Sequence, residues 1–119
     1  MKYLLLIYLE EQVWNKFSES EKQQRMRDGV QFAHELKASG KLQSAAPLQP
    51  VATATSVRLQ KGQRLVTDGP FAETREQLGG YFLIDVASRD EAIDIVARMK
   101  GDGPGTIEIR PVVEIPGVT

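Results

Sequence analysis

The side chains best suited to chemistry gather around one short run. Asp68 opens Asp68-Gly69-Pro70-Phe71. An aspartate that ends a strand ahead of a rigid Gly-Pro step can act as general acid or base, or anchor a substrate at the mouth of a cleft. Aspartate before glycine also commonly accepts N–H bonds from its own turn, which is the structural alternative. Glu73 and Glu76 lie three apart, and a helical turn over 72–78 would set both carboxylates on one side near Asp68. Such a cluster can move a proton or hold a hard cation, or be a solvated acidic loop that Arg75 neutralises. Tyr81 can present a phenolic O–H to a pocket or pack as an aromatic. Arg58 and Arg110 can pair with an anionic substrate or face solvent and carboxylates across a sheet. Gly79-Gly80 admits close approach of a ligand or of another backbone, or marks a bulge. The expected site is Asp68 as the catalytic group with Glu73, Glu76, Tyr81 and Arg58 binding a ligand, no cofactor and no metal. His34 is the only histidine, the residue type that changes charge near neutrality. At 100° per residue it falls off the apolar stripe of its helix and reads as a surface residue.

The elements that must hold these groups are legible from periodicity and caps. Residues 2–9 are apolar at nearly every position, which suggests a strand covered on both faces. A loop with Trp14 and Phe17 follows. Ser18-Glu19-Ser20-Glu21 has the form of a capping box and starts a helix whose stripe is Met26, Val30, Ala33 and Leu36, with Phe32 at its margin and Gly40 as its stop. Leu42 to Ala46 is a short strand before Pro47 and Pro50, prolines that mark a connecting loop. Residues 55–60 and 63–67 form a β-hairpin turned at Lys61-Gly62. Residues 80–86 are a second strand apolar on both faces. Ser88-Arg89-Asp90-Glu91 repeats the capping pattern, and Ala92, Ile95, Val96 and Met99 give a second stripe ending near Gly101. Residues 106–110 alternate as a half-solvated final strand. The order is that of a split βαβ, ferredoxin-like α+β domain: one antiparallel sheet, two helices on one face, and an extra hairpin.

Composition bounds the function. A chain of 119 residues is of single-domain size, and one domain over 1–119 is expected. With no cysteine there is neither a disulfide framework nor thiolate chemistry, which fits a reducing, cytoplasmic setting. Fifteen basic and sixteen acidic residues give a formal net charge of -1, and the basic ones are spread along the chain, so there is no footprint for nucleic acid. The N-terminal apolar run is too short to cross a membrane, and Glu10-Glu11 stands where a signal peptide would need small residues. No Gly-rich phosphate loop, zinc-protease or nucleophile-elbow pattern occurs.

Two helices cover only one face of such a sheet, yet residues 2–9 and 80–86 offer apolar side chains on both. Large exposed apolar patches are uncommon on monomers. Pairing the uncovered face with its copy gives a closed two-fold assembly, so a homodimer is expected.

The run from Val66 through Asp68-Gly69-Pro70-Phe71-Ala72-Glu73-Thr74-Arg75-Glu76-Gln77-Leu78-Gly79-Gly80-Tyr81-Phe82 to Asp85 resembles the signature of the DGPF branch of the YCII-related family. The likeness extends to Lys2-Tyr3 through Tyr8, to Leu48-Gln49-Pro50 with Thr53-Ala54-Thr55, and to Glu108 through Val112, and so spans essentially the whole chain. It implies a dimeric α+β barrel, and activity as a cofactor-independent small-molecule enzyme or ligand binder with a pocket between the sheet and residues 68–81. Some members occur fused to or beside extracytoplasmic-function sigma factors, which implies an alternative, a regulatory or scaffolding dimer that meets such a protein partner. Many members carry an early-helix histidine suspected of acid–base work with an aspartate. Here the matching position is Gly29.

Overall fold

In the computed structural model, which describes residues 1–119, the apolar run folds as β1 (Lys2–Leu9) and the capped segment as α2 (Glu19–Ala38). Between them the segment expected to be a loop is a short helix, α1 (Glu11–Lys16). Trp14 lies in it and packs edge-on against Phe17, with ring centroids 5.9 Å apart. Six residues are too few to show an amphipathic period, so the sequence carries little sign of this helix.

The remaining elements are β2 (Leu42–Pro47), the hairpin β3 (Thr55–Gln60) and β4 (Gln63–Asp68), then β5 (Gln77–Asp85), α3 (Arg89–Lys100) and β6 (Thr106–Pro111). Ser18 forms a complete capping box. Its hydroxyl accepts from the Glu21 N–H, and the Glu21 carboxylate accepts from the Ser18 N–H. Ser18 thereby lowers the Glu21 pKa, first through its backbone N–H and then through its hydroxyl. At α3 only half of the motif forms. Ser88 accepts from Glu91 N–H, while the Glu91 carboxylate reaches one residue further back, to the Ala87 N–H.

β2, β5, β1 and β6 make one antiparallel sheet in that order, so the strands flanking α2 are separated by β5, and the split βαβ topology holds. Tyr3 and Leu5 of β1 and Phe82 and Ile84 of β5 point to the helix side. There they join Leu36 of α2, Ala92 and Ile95 of α3 and Val86 in one buried cluster. Leu5, Ile84 and Ile95 are at most 1 % exposed, and each such side chain contributes roughly 1.5–3 kcal/mol by leaving water. The alternate residues of β1 and β5 face away from the helices. Leu4 stands between Leu83 and Arg110, and Leu6 between Tyr81 and Glu108, all on a side that no helix of this chain covers.

The hairpin is a separate two-stranded sheet. Lys61 and Gly62 both take positive φ at its tip, the geometry that matches the twist of a two-residue turn. Every residue of β3 and β4 except Ser56 is exposed, and neither strand packs broadly on another element. The molecule measures 47 × 45 × 19 Å, and its radius of gyration of 16.3 Å exceeds the ~13.5 Å of a compact chain this long.

Candidate functional site

The apolar stripe of α2 is longer than the core it feeds. Leu36 and Ala33 pack down on the sheet, whereas Met26 and Val30, two turns and one turn nearer the N-terminus, stay 48 % and 54 % exposed. Beneath them a groove of about 350 Å³ opens between α2 and the strands β1, β2 and β5, within the size range of small-molecule sites. Ile7 and Phe82 form part of its floor, Ala45 to Pro47 and Gly79-Gly80 one wall, and Met26, Gly29, Val30 and Ala33 the other. Arg25 and His34 are its only ionisable lining residues.

Glycines shape this space. β5 bulges at Gly79, where the pairing with β1 steps from Ile7–Gly80 to Tyr8–Leu78. Gly80 is the close-approach residue. A Cβ there would stand 3.1 Å from the Ala46 carbonyl oxygen and 3.3 Å from Pro47 Cα, so both meanings weighed for the pair are realised, one at each residue. Gly29 is different. A Cβ on it would meet nothing within 4 Å, so neither packing nor turn geometry requires glycine, although glycine in a helix interior costs about 1 kcal/mol relative to alanine.

The residues expected to form the site are spread over other parts of the fold. Asp68 ends β4 and is exposed. Its turn is tied not through the carboxylate but by Gly69 N–H donating to the Ala54 carbonyl at 2.7 Å and the Ser56 hydroxyl donating to the Gly69 carbonyl at 2.8 Å. Arg58 lies over the Phe71 ring, 4.8 Å from its centroid. Glu73 is exposed and Glu76 half-buried. The helical turn over 72–78 does not form. Gln77 already belongs to β5, opposite Leu9, and its side-chain amide donates to the carbonyls of Thr74 and Arg75 that a helical turn would use. Arg75 makes no ion pair with Glu73 or Glu76, although the Glu76 charge acts on it at longer range. Its Nε donates to Glu10 at 2.7 Å, and this bond, ahead of the attraction between the two charges, raises the Arg75 pKa further. The Tyr81 hydroxyl lies 3.2 Å from that of Ser44. None of Asp68, Glu73, Glu76, Tyr81 or Arg58 lines the groove, and of the 68–81 segment only Gly79 and Gly80 do.

Sequence reasoning missed Arg25, His34 and Gly29 as neighbours in one cavity. The available signal was the glycine, an otherwise unfavourable residue set in the middle of an amphipathic stripe. Arg25 and His34 flank that stripe on opposite margins, where charged residues ordinarily read as solvent-facing.

The model of the YCII-related domain matches residues 1–116. An uncharacterized protein of Rhizobium meliloti (strain 1021) is 40% identical over 114 residues, which cover 94% of this chain and 92% of that one. With the family model spanning nearly all of the sequence, and the split βαβ sheet agreeing with it, this chain belongs to the YCII-related family.

Proposed function

We propose that the protein is a small-molecule binder or cofactor-independent enzyme of the DGPF type, with its ligand in the groove under α2. The observation that carries this reading is the groove itself, an apolar cavity of small-molecule size bordered by Arg25 and His34 and lined midway by Gly29. Asp68 is the acid–base candidate of the same reading, an exposed carboxylate at the end of β4.

Thermal denaturation in the presence of a metabolite library tests the proposal. A ligand at a hundred times its Kd stabilises the fold by ~2.7 kcal/mol, and Val30→Trp, which fills the groove, should remove the shift. A library without a hit, or a shift that survives Val30→Trp, counts against the groove. Asp68→Asn should then abolish turnover of any ligand found to react, and unchanged turnover removes Asp68 from the site.

The working unit in this proposal is a cytoplasmic homodimer joined through the open sheet face, supported by Leu4, Leu6, Tyr81 and Leu83 on the side without helices. Sedimentation of Leu6→Asp should give a monomer where the parent gives a dimer.

One observation favours a second reading, a regulatory dimer that docks a protein such as an extracytoplasmic-function sigma factor. Val57, Leu59 and Val66 share one face of the hairpin and are 60–75 % exposed, and Phe71 beyond it is 74 % exposed. Cross-linking from Leu59 should then trap the sigma factor. Cross-links only to a second copy of this chain would assign the hairpin to the dimer.

A further inference from the structure

We infer that the groove under α2 selects an elongated apolar molecule bearing one anionic group, with the anion held by Arg25; this rests on the groove being the ligand site. The two ionisable residues of the lining are both nitrogen bases, and no carboxylate borders the cavity to offset them or to attract a cation. Arg25 is free to bind. It takes part in no salt bridge. Glu21, whose charge it feels, is engaged with the Ser18 N–H.

The Arg25 guanidinium is also held in place. It lies over the Phe17 ring, 4.1 Å from the centroid, an arrangement that fixes the plane of the cation by stacking. Its edge N–H groups remain for a carboxylate, sulfonate or phosphate, which arginine meets with two parallel bonds.

Shape follows from the helix. Arg25 and His34 are nine residues apart, about 13 Å along the axis, and Met26, Gly29, Val30 and Ala33 line the wall between them. Arg25 therefore borders one end of the apolar slot, its guanidinium against Phe17 and beside Gly103, and His34 borders the other. Gly29 lies midway, where a side chain would intrude on the bound molecule, and the open space above its Cα gives the glycine a purpose that packing does not. An amphipathic organic acid satisfies all three features: an apolar body, one charged head, and a length comparable with two and a half helical turns.

The experiment is a pair of fluorescence titrations of the full chain, with anionic anilinonaphthalene sulfonate and with neutral N-phenylnaphthylamine, probes of similar apolar bulk. The anionic probe should bind at least tenfold more tightly. Arg25→Gln should abolish that preference while leaving the neutral probe's affinity within twofold, and Val30→Trp should abolish binding of both. Circular dichroism of each variant establishes that it is folded. Equal affinities overturn the anion selectivity and leave the groove as a site for neutral molecules, and a preference that survives Arg25→Gln overturns the assignment of the anion to Arg25. Failure of both probes to bind, or binding indifferent to Val30→Trp, overturns the groove reading together with the inference.

Discussion

Lys41 Nζ donates to Glu91 Oε1 at 2.8 Å, joining the residue that precedes β2 to the first turn of α3, while the other carboxylate oxygen of Glu91 accepts the Ala87 N–H at 2.9 Å. One carboxylate thus fastens the start of α3 to the residue that leads into β2. Those two hydrogen bonds, the lysine's first, lower the Glu91 pKa from its ordinary value of 4.5.

The sign of the pH dependence follows. A carboxylate with a depressed folded-state pKa contributes stability in full above its unfolded value, and that contribution is lost as pH falls through the folded value. Glu91→Gln retains an acceptor for the Ala87 N–H and loses the charge. Its melting temperature should lie below that of the parent at neutral pH, with the gap closing as the solution is acidified below 4.5. Raising the salt concentration at neutral pH should narrow it as well, because both side chains are partly exposed. A gap independent of pH would assign the effect to packing.

Two glycines should respond in opposite directions to the same substitution. Gly29→Ala removes a helix-interior glycine where a Cβ meets nothing within 4 Å, and should raise the stability measured by urea unfolding by up to ~1 kcal/mol. At Gly105 φ is +99° and a Cβ would stand 2.5 Å from the Tyr8 carbonyl oxygen. That contact is with backbone, so Gly105→Ala should destabilise by more than ~1 kcal/mol.

Ser18→Ala removes the hydroxyl that accepts the Glu21 N–H at 3.1 Å. The loss should be about 1 kcal/mol in the same assay. Ser18→Asp, which can still accept that bond, should recover most of it.

In the core, Leu5 touches both helices' apolar cluster and is fully enclosed. Leu5→Ala should cost ~2–5 kcal/mol. Leu4→Ala, on the face without helices, should cost far less in a monomer at high dilution than at concentrations where copies associate, and a concentration series of unfolding curves separates the two cases.

Both long helices and the central strands were legible because each is written in local signals: Ser18 and Ser88 before their stripes, Gly40 and Gly101 after them, and runs apolar at nearly every position over 2–9 and 80–86; the split βαβ arrangement then followed from the order of the elements. The site was legible only by composition. Asp68, Glu73 and Glu76 are neighbours in the chain, and nothing local reveals that the Gln77 side chain ties Thr74 and Arg75 into an extended path. The groove depends instead on how far the core reaches along α2. Leu36 is buried and Met26 is not, a difference created by where β2 and β5 end beneath the helix. A stripe of uniform residue type cannot disclose it.

The hairpin's isolation makes it a module. Because β3 and β4 lean on each other and on little else, amide protons along them should exchange through openings that leave the four-stranded sheet intact. Sequence there is free to drift in length and composition without disturbing the buried cluster, and Lys61-Gly62 offers a natural point at which to splice a fluorophore tag or a sensor peptide into the chain.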